Sequence, residues 1–139
     1  MKTITITLAI LISSLFSFAQ ENTNRNITVT VDNVKNNTGK VLLTLHNKTT
    51  FLVADGVQNI ETKIEDGKVK ATFKNVTPGT YAILVLHDEN ENKAMDFDTN
   101  RMPIENYGMS NNPLGYGPPQ YSEAKFELKN EDLEMNIRF

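Results

Sequence analysis

The stretch Tyr81-Ala82-Ile83-Leu84-Val85-Leu86-His87 constrains the fold more than any other in this chain. In an extended backbone Tyr81, Ile83 and Val85 point one way, and Ala82, Leu84 and Leu86 the other. A strand apolar on both faces is expected at the centre of its sheet. The segments around it repeat the period of two with only one apolar face. Ile27 to Val34 alternates through Ile27, Val29 and Val31. Lys40 to His46 does so through Val41, Leu43 and Leu45, with Leu42 partly covered. Gln58 to Ile64 alternates through Ile60, Thr62 and Ile64, and the next run through Val69, Ala71 and Phe73. Tyr121 to Lys129 sets Ala124, Phe126 and Leu128 against Lys125, Glu127 and Lys129, and a last strand carries Leu133, Met135, Ile137 and Phe139.

Turn chemistry divides these runs. Asn36-Asn37-Thr38-Gly39 reads as a turn with Gly39 at positive φ. Asp66-Gly67 is a strong hairpin signal. Pro78-Gly79 reads as a type II turn, with Gly79 left-handed. Between Asn47 and Asn59 the alternation is lost, and Phe51, Leu52 and Val53 fit a short helical turn or a bulged crossover. The result is about seven strands with no convincing amphipathic helix. That pattern predicts an all-β, antiparallel sandwich with one long loop after His87, and a small closed barrel as the second choice.

The first 19 of the 139 residues read as a signal peptide: Lys2, then an apolar run, with Ser17 and Ala19 placed for cleavage before Gln20. Residues 20–139 then form one domain, exported to the periplasm or the cell exterior. Without Lys2, the 14 basic side chains become 13 against 17 acidic ones, a net charge of −4. No basic patch points to nucleic acid, and no second apolar run is long enough for a membrane helix. The chain has no cysteine, so no disulfide stiffens the long loop.

Three groups of residues carry candidate chemistry. Asp88, Asn90, Asn92 and Asp96 follow the one-three-five-nine spacing of a calcium loop, with Asp98 nearby. Oxygen ligands at alternate positions wrap a hard cation, and calcium is the cofactor this spacing predicts. Lys93 stands where such loops place a glycine, and Thr99 where they place a bidentate Glu. The competing reading is a solvated acidic loop built on Asx turns. His87, next to Asp88, ties the loop to the sheet, or serves a base or a metal together with His46 if the strands bring the two together. Finally, Glu105, Tyr107, Tyr116 and Tyr121 lie in a Gly/Pro/Asn-rich segment whose composition suits a glycan or peptide, and equally a self-packed Ω-like loop. Ser110 has no nucleophile-elbow context, so no catalytic residue is assigned.

The combination Gly79-Thr80-Tyr81-Ala82, His87-Asp88, Asn90, Asn92, Asp96, Ile104-Glu105, Tyr107-Gly108, Ser110-Asn111-Asn112, Gly117-Pro118-Pro119, Ala124 and Phe126 resembles a family of bacterial exported proteins, domain of unknown function 2141. Lys93 replaces the glycine of that family's acidic pattern, and Met109 stands where an aromatic is more usual. The resemblance implies export and a transthyretin-like or immunoglobulin-like sandwich, and brings no activity or substrate. Pro78-Gly79-Thr80-Tyr81 is also similar to prealbumin-like and adhesin stalk domains, a likeness of fold alone.

Three functions from different classes follow. The first is a binding module stabilised by a divalent cation. The second is a small secreted hydrolase or metalloenzyme using His87, His46 and nearby acids. The third is a structural domain that joins an envelope protein.

Overall fold

The computed structural model describes residues 23–115 and 117–139. The signal segment and Tyr116 therefore lie outside the described residues. Eight strands form two sheets: β1 (Arg25–Val31), β2 (Lys40–His46), β3 (Gln58–Thr62), β4 (Val69–Val76), β5 (Gly79–Asp88), β6 (Tyr107–Met109), β7 (Phe126–Leu128) and β8 (Leu133–Asn136). One four-residue helix, α1 (Tyr121–Ala124), precedes β7. The smaller sheet has the order β4-β1-β8. The larger runs β3-β2-β5-β6, with β7 also paired to β5. These are two separate layers, a sandwich-like arrangement rather than one closed barrel.

The core lies where the alternation puts it. Ile27, Val29, Val31, Val69 and Phe73 from the smaller sheet meet Val41, Leu43, Leu45, Ile83 and Val85 from the larger one. Strand β5 is central: β2 pairs along one edge, and β7 and β6 share the other. Removing such side chains from water supplies the main drive to fold, about 25 cal/mol per Å² of apolar surface.

Four local expectations change. First, β8 runs parallel to β1, with Ile27 opposite Leu133 and Thr30 opposite Asn136. The sandwich is therefore not wholly antiparallel, because the last strand reaches β1 by crossing from the other sheet. Second, Tyr107–Met109 makes an eighth strand inside the long loop. Third, the expected strand from Tyr121 begins as α1, whose Ala124 packs outside the main core. Fourth, Gly79 is not in the left-handed region. It opens β5 at a corner where the chain changes sheets, and a Cβ there would press on the Tyr81 ring at 3.3 Å. The Tyr81 hydroxyl fixes that corner by donating to the Thr77 carbonyl at 2.9 Å.

Asp66 and Gly67 do form the two-residue turn, at φ 51° and 70°. Glu65 and Lys68 exchange both backbone bonds across it, and the flanking strands then diverge into different sheets. Residues 47–54 form the expected helical turn, with the Phe51 N–H on the Asn47 carbonyl.

Candidate functional site

The long loop leaves the larger sheet at Asp88 and returns at Tyr107, and its base is closed by the His87 N–H donating to the Asn106 carbonyl at 2.8 Å. Asp88 is almost fully buried. Its two carboxylate oxygens accept the N–H groups of Asn92 (3.1 Å) and Lys93 (2.8 Å). Lys93 adopts φ 64°, so it takes the left-handed conformation that a glycine would supply at lower cost. The Asn90 and Asn92 side-chain amides both donate to the Asp96 carboxylate, at 2.6 Å and 3.0–3.1 Å. The Asn90 and Asn92 side-chain oxygens in turn accept the N–H groups of Asn92 and Ala94, the Asx turns read from the sequence.

The structure thus brings four of the five proposed metal ligands together and leaves out the fifth. Asp98 caps a separate turn, accepting the N–H groups of Asn100 and Met102 at 2.8 Å each. Glu105 takes its place at the loop. Buried, it accepts the Glu89 N–H (3.0 Å) with one oxygen and the Asp96 N–H (3.2 Å) with the other. It braces the loop from inside and does not line a ligand surface. Among the described residues, no group of three or more His, Cys, Asp or Glu side chains is arranged to hold a metal ion.

The two histidines are not brought together. His87 lies opposite Val41 and His46 opposite Ala82, five positions along the same strand pair, or about 17 Å at the rise of a strand. An odd separation also puts them on opposite faces of the sheet. His87 is fully buried in the core and stacks on Phe139, with ring centroids 6.2 Å apart. Its Nε2 donates to the Thr38 carbonyl at 2.8 Å. Its Nδ1 has no hydrogen-bond partner, and the nearest carboxylate, Glu89, is 3.8 Å away. His87 thus holds the Asn36–Gly39 turn against β5, a tie to a different turn from the long loop that the sequence pointed to. A Cβ on Gly39 (φ 70°) would lie 2.1 Å from the Asp88 carbonyl oxygen, so this corner closes only around a glycine.

His46 faces the other way, edge-on to Phe51, with Nδ1 on the Thr50 hydroxyl at 3.2 Å. Burial pushes its pKa below the ordinary 6.5, and a backbone hydrogen bond at Thr50 offsets part of that shift.

The outward face of the larger sheet carries the feature that the sequence left unassigned. A cleft of about 620 Å³ runs between that face and the loop, floored by Leu42, Leu84 and Leu86. Within the loop, the Phe97 and Pro103 backbones pair as a small hairpin. Phe97 and Met102 line the cleft from the loop at 57% and 62% exposure, and Leu52 also lines it at 56%. Exposed apolar side chains gathered in this way mark a binding surface more often than a folding accident. Lys93 reaches from the loop to Glu61 on β3, whose carboxyl it holds below its usual range.

The aromatic residues separate. Tyr107 lines the cleft, opposite Leu86 in register. Tyr121 instead packs on Phe51 at 5.6 Å and donates to the Thr80 carbonyl. The sequence signal for the cleft was present: Met95, Phe97 and Met102 interrupt a largely polar loop, and Leu84 and Leu86 make β5 apolar on its second face.

Ser110-Asn111-Asn112 is a staple. The buried Ser110 hydroxyl accepts the Ile83 N–H (3.0 Å) and donates to the Ala124 carbonyl (2.5 Å). Asn111 binds the Glu123 and Lys125 carbonyls. Asn112 binds the Asn136 carbonyl and the Arg138 N–H. Three chain segments meet there, which gives Ser110 a structural use.

Fold and site together define an all-β two-sheet domain whose braced loop overhangs an apolar cleft. The chain belongs to the family described as an uncharacterized protein conserved in bacteria (DUF2141), whose model matches residues 29–136. No match was found among curated proteins or among solved structures.

Proposed function

We propose that the chain is a non-enzymatic, exported binding module that takes an apolar ligand, or the apolar part of one, in the cleft beneath the loop. The observation that carries this reading is the exposure of Phe97, Met102 and Leu52 around a floor of leucines. The volume falls within the range usual for small-molecule clefts, about 300–1,000 Å³. The lining favours an apolar peptide side chain or a lipid over a glycan, whose hydroxyls need more polar partners. The sheet-changing corner fixed by Tyr81 supports the immunoglobulin-like form of the sandwich over the transthyretin-like one. Met102→Ser is expected to weaken binding of the fluorophore 1-anilinonaphthalene-8-sulfonate about fivefold without shifting the thermal midpoint. Equal binding by the variant and the native protein would rule out the cleft.

A second reading gives the acidic loop a calcium ion, held through Asp88, Asn90, Asn92 and Asp96. It is favoured by the left-handed Lys93 and by the Asp88 oxygens on the fifth and sixth N–H groups of the loop. Binding would require the Asn90 and Asn92 amides to turn their oxygens inward. Calcium at about 1 mM is then expected to raise the melting temperature and slow amide exchange across residues 89–96. Identical curves in calcium and in chelator would leave the loop as a purely hydrogen-bonded structure.

A further inference from the structure

The cleft's chemistry narrows its ligand. Its floor is formed by β2, β5 and β6, and each of β2 and β5 is paired on both edges. Their backbone N–H and C=O groups are taken up in the sheet and do not open into the cleft. A peptide backbone laid along this face would lose water and gain few hydrogen bonds, at a cost for each unmet group. An alkyl chain has no such groups to satisfy. Of the two cations that line the cleft, Lys93 is held by Glu61, whereas Arg101 makes no ion pair among the described residues. An unpaired guanidinium beside apolar walls is complementary to an anion at the end of an apolar tail, a local attraction that acts against the chain's net negative charge. Its fork of donors matches a carboxylate in two-point geometry.

Resting on the reading of the cleft as a binding site, we infer that it takes a single-chain amphiphile with an anionic head, a long-chain fatty carboxylate, its tail along Leu42, Leu84 and Leu86 and its head on Arg101. The test is displacement of 1-anilinonaphthalene-8-sulfonate from the full chain by laurate and by dodecanol, each below its micellar concentration. Laurate is expected to bind about tenfold more tightly than dodecanol. Arg101→Gln is expected to remove that difference, lowering laurate affinity several-fold more than dodecanol affinity. The Arg101 side chain makes no bond that the fold needs among the described residues, so the variant should fold.

Equal affinity of the native protein for acid and alcohol would overturn the inference, as would a laurate preference that survives Arg101→Gln. Tighter binding of lysophosphatidylglycerol than of laurate would assign the head to a phosphate and overturn the carboxylate. Co-sedimentation with phosphatidylglycerol vesicles, without displacement by monomeric laurate, would replace a cleft ligand with a membrane surface. If the fluorophore binds in the cleft and neither laurate nor dodecanol displaces it, the ligand class fails while the binding module stands. If Met102→Ser leaves fluorophore binding unchanged, both fail.

Discussion

At the scale of single residues, several side chains do work that their identity alone does not announce. Lys93 adopts a backbone conformation suited to glycine because Asp88 accepts its N–H and Glu61 holds its ammonium. Ser110 would be weighed as a nucleophile in another setting, yet here it replaces a rung of the β5–β6 ladder. His46 is 5% exposed, and its burial makes stability depend on pH. Because its folded pKa lies below the ordinary 6.5, the unfolded chain binds the proton more readily. Its contribution is therefore complete above about pH 6.5 and is lost as pH falls from there through the folded value. His46→Gln is expected to lose less stability than the native protein between about pH 7.5 and about pH 5, read as the difference in urea midpoints.

At the scale of elements, what was legible followed from side-chain period and turn chemistry. The core faces of β1, β2, β4 and β5 are read directly from Ile27/Val29/Val31, Val41/Leu43/Leu45, Val69/Ala71/Phe73 and Tyr81/Ile83/Val85. The Asp66-Gly67 turn is equally direct, because both positions need positive φ and few other pairs accept it. Strand β6 was not legible: Tyr107-Gly108-Met109 is too short to alternate, and only its bonds to Leu84–Leu86 make it a strand. The Gly79 conformation was misread because Pro-Gly is a turn signal in a hairpin, whereas here it sits at a change of sheet. Direction was also hidden, since alternation in Leu133/Met135 is the same whether β8 runs with β1 or against it. The site divided along similar lines. The Asp88–Asp96 cluster is local in sequence and was readable, while the cleft joins β2, β5, β6 and the loop, so its apolar signals are scattered along the chain and meet only in the fold. The tail that follows β8 depends on Asn112, and Asn112→Ala removes both of its bonds. The expected cost is about 1–2 kcal/mol, with faster amide exchange at Ile137 and little change at Val29.

For the molecule as a whole, the sandwich supplies a rigid floor and the loop supplies a wall. The His87 N–H on the Asn106 carbonyl, the Glu105 brace and the Lys93–Glu61 pair anchor that wall at separate points, all without a disulfide. None of these contacts uses Phe97 or Met102, whose side chains are left to face the cleft. Among the described residues no helix is long and apolar enough to cross a membrane.

The parallel pairing of β1 with β8 has a consequence in time. A ribosome releases Arg25–Val31 first and Leu133–Asn136 last, so one edge of β1 stays open until nearly the whole domain has emerged. Until then β4 is its only neighbour, and Ile137 and Phe139 have not yet covered the core. A chain ending at Lys129 freezes this state and leaves a strand edge ready to recruit another chain. It is expected to sediment as larger oligomers than the full chain does. The sandwich would thus close late, around its final residues, and a chain still in transit would remain pliable until the end.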